Sequence, residues 1–257
     1  MSILSRLFGN KPQASVAGLG LPCPAQTTYV VGDIHGRADL LETLLVQIDE
    51  DSEQYPDAVC VCLGDYVDRG ENSAATLKTL QDLQTQMPKT LFCLMGNHER
   101  MMLDFVDHPE KRGGRWLRNG GLQTLASYGV SGITEATSEE RIIAARDQFL
   151  DEIDPVMLDW VRKLPLQWDS GNLIVVHAAL DPNLAPEAQD DRVRIWGHRD
   201  FTNLPRQDGR WVAHGHTVTE TPFFGASRIA VDTGAYYSGV LTAAKVSPTG
   251  AVEFLHT

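Results

Sequence analysis

Two patterns alternate along residues 27–106. TTYVVGD is a β-branched apolar run that stops at Gly-Asp. The stretch after it, RADLLETLLVQIDE, sets Leu40, Leu41, Leu44, Leu45 and Ile48 on one helical stripe. AVCVCLGD repeats the strand pattern and again stops at Gly-Asp, and Ala74, Leu77, Leu80 and Leu83 mark a second helix face. KTLFCLMGN is a third strand, ending in Gly-Asn, and Met101, Met102, Phe105 and Val106 predict a helix behind it. Strands that are apolar throughout, without alternation, are those covered on both faces. Three strand–loop–helix units in a row therefore predict an α/β fold with a largely parallel sheet. The polar residues then fall at the C-terminal strand ends, where ligands gather in open α/β sheets.

The rhythm breaks over residues 107–170. HPEKRGGRWLRNGG reads as a Gly-rich loop carrying basic residues. TSEERIIAARDQFLDEI has a capping-box pattern from Thr137 to Glu140, and DPVMLDWVRKLP predicts a helix with Asp154 as cap and Pro155 at its first position. The block reads as a helical insertion that walls a site. Strand patterns return in NLIVVHAAL, RWVAHGH, RIAVDTG, GVLTAAKV and AVEFLHT. The last three are short and separated by turn residues, which predicts an antiparallel or mixed second sheet. Residues 9–26 are rich in Gly, Pro and Ala, so residues 1–26 read as a leader or linker and 27–257 as a single domain. Ser2–Phe8 reads either as a short amphipathic helix or as a frayed terminus.

Composition narrows the function classes. Hydrophobic residues make up 42% of 257, enough for a sizeable core, so disorder is expected at the ends alone. The net charge of −12 argues against broad nucleic-acid binding, although bound metal ions would let such a chain hold a phosphorylated substrate. Three of the four cysteines, Cys60, Cys62 and Cys93, lie in strand-like apolar runs. With Cys23 they read as free thiols rather than a disulfide framework. MSILSRLFGNKPQ has no apolar signal core and no run reaches membrane-spanning length, so a reduced cytoplasm is the expected location.

The strand ends carry the chemistry. In order they read GDIHG (32–36), GDYVDRG (64–70), GNHE (96–99), VHAAL (176–180) and HGHT (214–217). Each alone is an ordinary capping or turn fragment, but five in one chain, each just after an apolar run, form a constellation. Carboxylates, an amide oxygen and imidazoles make a mixed oxygen/nitrogen set suited to manganese, iron or zinc rather than magnesium or calcium. The absence of Cys from these fragments argues against a structural zinc site.

On these blocks the chain resembles the phosphoprotein phosphatase family of metallophosphoesterases, and is most similar to its bacterial and phage branch. The GD-x-HG, GD-x-VDRG and GNHE blocks follow at the family's spacing, with VHA and GHT behind them. The resemblance runs from about Tyr29 to Val246, and GDYVDRG is its most discriminating part. It implies a calcineurin-like α/β fold: two mixed β-sheets packed as a central sandwich and flanked by helices, in four layers.

It also implies two divalent metal ions, Mn2+ foremost with Fe and Zn as alternatives. Asp33 and His35 would hold the first ion, Asp65 would bridge, and Asn97, His177 and His216 would complete the second. His214 is the rival of His216. Two such ions lower the pKa of a shared water, and the hydroxide would attack phosphorus directly, without a covalent phosphoenzyme.

By the same resemblance His98 is the general acid, Asp68 orients it and Arg69 clamps the phosphate. Arg199 in RIWGHRD is the second clamp, with Arg194 as its rival. Asp232 is either a buried partner of a ligand histidine or a turn residue before Gly234. Tyr236 and Tyr237 would rim the cleft, and WLRNGG (116–121) also recurs in this branch. His108, His198 and His256 are expected at the surface.

The implied reaction is hydrolysis of phosphoserine, phosphothreonine or phosphotyrosine in a phosphoprotein or phosphopeptide. The alternatives are hydrolysis of dinucleoside polyphosphates such as diadenosine tetraphosphate, and a non-catalytic binding module. The Asp-Arg pair of VDRG favours the first, and the complete ligand set speaks against the last. Neither nucleic acid nor a membrane span is implied.

Overall fold

The computed structural model describes residues 20–257, so the Ser2–Phe8 reading and most of the expected leader lie outside the described residues. In chain order, β1 (Thr28–Val31), α1 (Ala38–Ser52), β2 (Val59–Cys62), α2 (Ser73–Gln86), β3 (Leu91–Cys93) and α3 (Asn97–Asp107) form the three expected units. Helical turns over 109–127 include α4 (Gly114–Trp116) and α5 (Leu122–Ser127). They precede α6 (Glu139–Glu152) and α7 (Pro155–Arg162). Then come β4 (Gln167–Ser170), β5 (Leu173–Val176), α8 (Asp191–Trp196), β6 (Trp211–His214), β7 (Phe223–Gly225), β8 (Arg228–Ala230), α9 (Ala235–Ser238), β9 (Thr242–Val246) and β10 (Val252–His256).

Both sheets are mixed. The first runs β10-β9-β1-β2-β3, with β1–β2 and β2–β3 parallel and β9 antiparallel to both β1 and β10. The second runs β4-β5-β6-β8-β7, with β5–β6 and β6–β8 parallel and antiparallel strands at both edges. Alternate residues of each strand serve opposite layers. Val30, Val61 and Leu63 of the first sheet meet Leu173, Val175, Trp211 and Ala213 of the second in one buried core. Tyr29, Val31, Cys62 and Cys93 face the other way, into the core under α1, α2 and α3. That two-sided burial is why the strands read as unbroken apolar runs. Cys62 and Cys93 are buried, Cys60 half-buried and Cys23 exposed, all as free thiols.

Four sequence expectations are corrected here. The last three strands do not share the second sheet: β8 joins it, but β9 and β10 extend the first. β9 pairs along the open edge of β1 from Thr28↔Val246 to Val31↔Ala243, and its residues are buried throughout. The block 107–170 ends in a strand, β4, rather than in helix. Its Gly-rich segment is wound into helical turns, broken only at Asn119 and Gly120, because Trp116 and Phe105 pack with tilted rings (centroids 4.6 Å apart) and hold it against α3. The capping box is not formed. Helix α6 starts from Ser138, and Thr137 Oγ1 instead accepts from the Thr134 amide. By contrast, Asp154 caps α7 through the Val156 amide, with Pro155 leading the helix. Residues 21–25 lie against the β4–β5 turn, where the Cys23 amide donates to Asn172 Oδ1 and the Ala25 amide to Ser170 Oγ.

Candidate metal centre and its acid

The site forms where β1, β2, β3, β5, β6 and β8 end. Two glycines permit the close approach: a Cβ on Gly215 would overlap Asp33 Oδ1, and one on Gly96 would overlap Asp65 Oδ1. Five of the residues singled out from sequence have left-handed backbones: His35 (φ 47°), Asp65 (53°), Asp68 (73°), Arg69 (68°) and His216 (62°). Such conformations cost about 1–2 kcal/mol each for a non-glycine residue and persist where the surroundings over-determine them.

Here Glu99 does much of that. Its fully buried carboxylate accepts from the amides of Asp65 (2.8 Å), Tyr66 (2.7 Å) and Gly96 (2.9 Å). The Asp65 carbonyl in turn accepts from the amides of Ile34 (3.1 Å) and His35 (2.8 Å). The first and second loops are thereby locked together.

Asp65 sits at the middle. Its Oδ2 is 3.6 Å from His35 Nε2, and its Oδ1 is 3.4 Å from His177 Nε2. His35 Nδ1–H donates to the Val67 carbonyl (2.9 Å) and His177 Nδ1–H to the Leu63 carbonyl (3.2 Å), which leaves the Nε2 lone pairs pointing inward. His177 Nε2 is then 3.0 Å from Asn97 Oδ1, and His216 Nδ1 is 2.7 Å from the same oxygen. The His216 amide donates to both oxygens of Asp33. Two groups, one with His35 and one with His177 and His216, thus share Asp65.

The donor chemistry fits divalent cations. Inward lone pairs face acceptor oxygens, an arrangement that a cation between them resolves. Burial pulls His35 down to about 3 and His177 to about 4, so both imidazoles are neutral and able to ligate. Burial, then the neighbouring carboxyls of Asp232 and Asp65, push Asp33 well above the usual range. Burial also tends to raise Asp65, but the imidazoles of His177, His98 and His35 outweigh it and hold it low. Buried carboxyls crowded in this way call for positive charge.

Beside this cage stands a second unit. His98 Nδ1–H donates to Asp68 Oδ2 (2.6 Å), and its Nε2 is 3.9 Å from Asp65 Oδ2 and 3.3 Å from Arg69 Nη2. Burial lowers the His98 pKa, but the Asp65 charge and the Asp68 hydrogen bond more than offset it, so the net shift is upward. Arg69 lies 4.7 Å over the Tyr236 ring, which also meets His35 edge-on, and Tyr237 stands 63% exposed beside it. A cavity of about 40 Å³ opens between the cage and this unit, lined by Asp33, His35, Asp65, Asn97 and His216 on one side and His98, Arg69 and Asp232 on the other.

Of the two roles open to it, Asp232 makes the turn, accepting from the Gly234 amide at 2.9 Å, and also faces Asp33 in the cleft. His216 rather than His214 is brought to Asn97. His214 is turned away, its ring edge-on to Phe201 and its Nδ1–H donating to the Gly215 carbonyl.

Arg199 is not brought to the cleft. The Arg199 side chain, two residues beyond Gly197 with its left-handed backbone (φ 88°), is 89% exposed and pairs with Asp200. Arg194 is committed elsewhere, donating to the carbonyls of Gln189 and Pro186 and to Asp191. His108 and His256 are exposed, but His198 is half-buried and 3.6 Å from Asp181.

Sequence reading missed what holds Asp68. Trp116 Nε1–H donates to both of its oxygens (2.9 and 3.1 Å), and Thr124 Oγ1–H donates to Oδ1 (2.6 Å). Thr124 Oγ1 also accepts from the Asp68 amide, and the Gly120 carbonyl accepts from the Arg69 amide. The recurring WLRNGG block pointed at Trp116 without a role; no sequence signal marks Thr124.

The chain is similar to known proteins in sequence and in fold. Residues 27–220 match the profile of the family described as calcineurin-like phosphoesterase. The chain is 26% identical over 236 residues to the asymmetrical bis(5'-nucleosyl)-tetraphosphatase PrpE of Oceanobacillus iheyensis, covering 83% of this chain and 86% of that protein. It is 26% identical over 230 residues to serine/threonine-protein phosphatase 2 of Salmonella typhimurium, covering 85% and 92%. A solved structure provisionally assigned as a diadenosine tetraphosphatase shares the fold, with a TM-score of 0.60 at 20% identity over 92% of this chain and 96% of that one. No helix among the described residues is long and apolar enough to cross a membrane. The chain belongs to the calcineurin-like phosphoesterases, hydrolases of the metallophosphoesterase type.

Proposed function

We propose that residues 27–257 act as one catalytic unit, a phosphomonoesterase that removes phosphate from serine or threonine side chains of proteins or peptides. The observation that carries this reading is the Asp68–His98 pair, joined at 2.6 Å, with His98 Nε2 and Arg69 lining the cleft beside Asp65. A serine or threonine alkoxide is a poor leaving group and needs a proton as the P–O bond breaks. A nucleotide phosphate leaves readily without one. A held imidazolium is therefore most useful against alkyl phosphates, where general acids contribute about 10²–10⁴-fold.

Asp33, His35 and Asp65 would hold one divalent ion and Asp65, Asn97, His177 and His216 a second. Mn2+ suits the mixed donors, with Fe and Zn as alternatives. When bound, the ions supply Lewis acidity toward phosphate oxygens and an activated water. Arg69 binds a phosphoryl oxygen through its guanidinium fork. Asp68 keeps the His98 proton on the cleft side, and His98 delivers it from Nε2 to the departing oxygen. Arg199, expected as a second clamp, has no part in this scheme.

A second reading has support in the similarity to PrpE: hydrolysis of dinucleoside polyphosphates on the same cage. Comparing kcat/KM for a phosphoserine peptide and for diadenosine tetraphosphate, at matched Mn2+, separates the two. The peptide is expected to be the better substrate. Rapid cleavage of the dinucleotide with little on the peptide would overturn the proposal.

A further inference from the structure

A large groove lies on the first sheet, remote from the chemistry at its strand ends. One stripe of α1 (Ala38, Glu42, Leu45, Val46, Asp49) faces one stripe of α2 (Ala75, Thr79, Leu83, Met87) across a floor that includes Tyr29 and Cys60. The volume between them is about 790 Å³. Val46 is 54% exposed and Met87 43%, so apolar surface is left open along both walls. The α1 wall also carries Glu42 and Asp49, beside an Asp39 that is paired with Arg37, and among the described residues no Lys or Arg lines the groove. An apolar trough of this size that no described residue covers, with carboxylates on one wall, fits a cationic amphipathic segment.

The chain itself carries one. Residues 1–19 hold no Asp or Glu but include Arg6 and Lys11, in a protein of net charge −12. Ile3, Leu4, Leu7 and Phe8 are spaced to share one helical face, with Ser2, Ser5 and Arg6 on the other. The tether also has the reach. Leu21 packs against Gly250, beyond the end of β9, and Val246 of β9 pairs with Thr28, which in turn pairs with Val59 on the groove floor. Two strand spacings are about 10 Å, whereas the nine residues 12–20 span up to about 30 Å when extended. We infer that the segment Ser2–Lys11 of this chain docks in the groove between α1 and α2, with its apolar face on Val46, Leu83 and Met87 and its basic residues toward Glu42 and Asp49.

Disulfide trapping in the full chain tests this, with Cys23→Ser removing the exposed native thiol. Phe8→Cys is paired with Val46→Cys in the groove or with Leu204→Cys, which is 46% exposed on a loop of the second-sheet side. Peptide mass mapping after mild oxidation should find residue 8 joined to 46 or to native Cys60 within one chain, at least about tenfold faster than to 204, as a docked tether raises local concentration. Adding Glu42→Lys and Asp49→Lys should slow that linkage by about two- to fivefold, the scale of exposed charge pairs. Equal rates to 46 and 204 would overturn the inference. So would an 8–46 linkage found only between chains, which would assign the groove to a second copy. Binding of the full chain to phosphatidylglycerol vesicles with no 8–46 or 8–60 linkage would overturn it too, assigning the segment to a membrane surface.

Discussion

The proposed metal cage and the proposed acid unit touch at Asp65 but are built differently. Asp33, His35, Asp65, Asn97, His177 and His216 all sit directly after strands, and their positions follow from two sheets ending at one place. Asp68, Arg69 and His98 also lie on strand-end loops, yet Asp68 is fixed by Trp116 and Thr124, roughly fifty residues away in a helical insertion. The cage is thus a property of the sandwich, while the acid depends on a segment laid over it. The two should fail in different ways. Loss of the cage should abolish hydrolysis of every phosphate ester, and loss of the acid only of esters whose leaving group needs a proton.

The largest expected effect comes from the shared carboxylate. Asp65→Asn should lower activity on any substrate by more than about 10³-fold, because one change removes a charge from both groups. Metal analysis should find fewer bound ions per chain than in the parent. Full metal content would show that Asp65 is not a common ligand.

Glu99→Gln comes next and acts through the fold. A carboxamide turns an NH2 group toward two of the four backbone N–H groups that now donate to the carboxylate, so the chain should be destabilised by roughly 2–3 kcal/mol. Denaturant titration checks this. An unchanged midpoint would mean that the left-handed loops are held by something other than Glu99.

Trp116→Phe separates the regions more finely. It keeps an aromatic ring against Phe105 and Phe149 and removes the N–H that Asp68 accepts. A hydrogen bond to a charged group is worth about 1.5 kcal/mol, so kcat on a phosphoserine peptide should fall by about tenfold. KM and bound metal should stay the same. Thr124→Val should behave alike. A matching loss on 4-nitrophenyl phosphate, whose phenolate leaves unaided, would reduce both residues to general packing.

The smallest effect lies outside both regions. Burial tends to raise the Asp51 carboxyl, but the Tyr29 hydroxyl and Lys245 ammonium outweigh that and hold it below its ordinary 3.8. A depressed carboxylate contributes stability above its unfolded-state pKa and loses it as pH falls through the folded one. Asp51→Asn should therefore lower Tm by at most about 2–4 °C near pH 7, with the difference closing below about pH 4. A gap that persists into acid would show that the contacts, not the charge, matter there.

Legibility followed the same division. The proposed cage could be read because each candidate ligand follows an apolar strand within four residues, so sequence neighbourhood and spatial neighbourhood coincide. His216 and His214 could be ranked only by resemblance, since both lie at one strand end and the turn at Gly215 decides which faces Asn97. The partners of Asp68 were not legible, because Thr124 is an ordinary helix residue until the insertion folds back. The place of Arg199 was not legible either, because its nearness to Trp196 in sequence does not say that its side chain is exposed and paired with Asp200. β9 and β10 looked like continuations of β8, and only the open edge of β1 explains why they return to the first sheet.

The division between cage and acid is tested most directly by His98→Asn assayed on two phosphates that differ in their leaving group. On a phosphoserine peptide the loss should be about 10²–10⁴-fold, and on 4-nitrophenyl phosphate about tenfold or less, with metal content unchanged. Equal losses on both substrates would contradict the account, because His98 would then serve the cage rather than the departing oxygen.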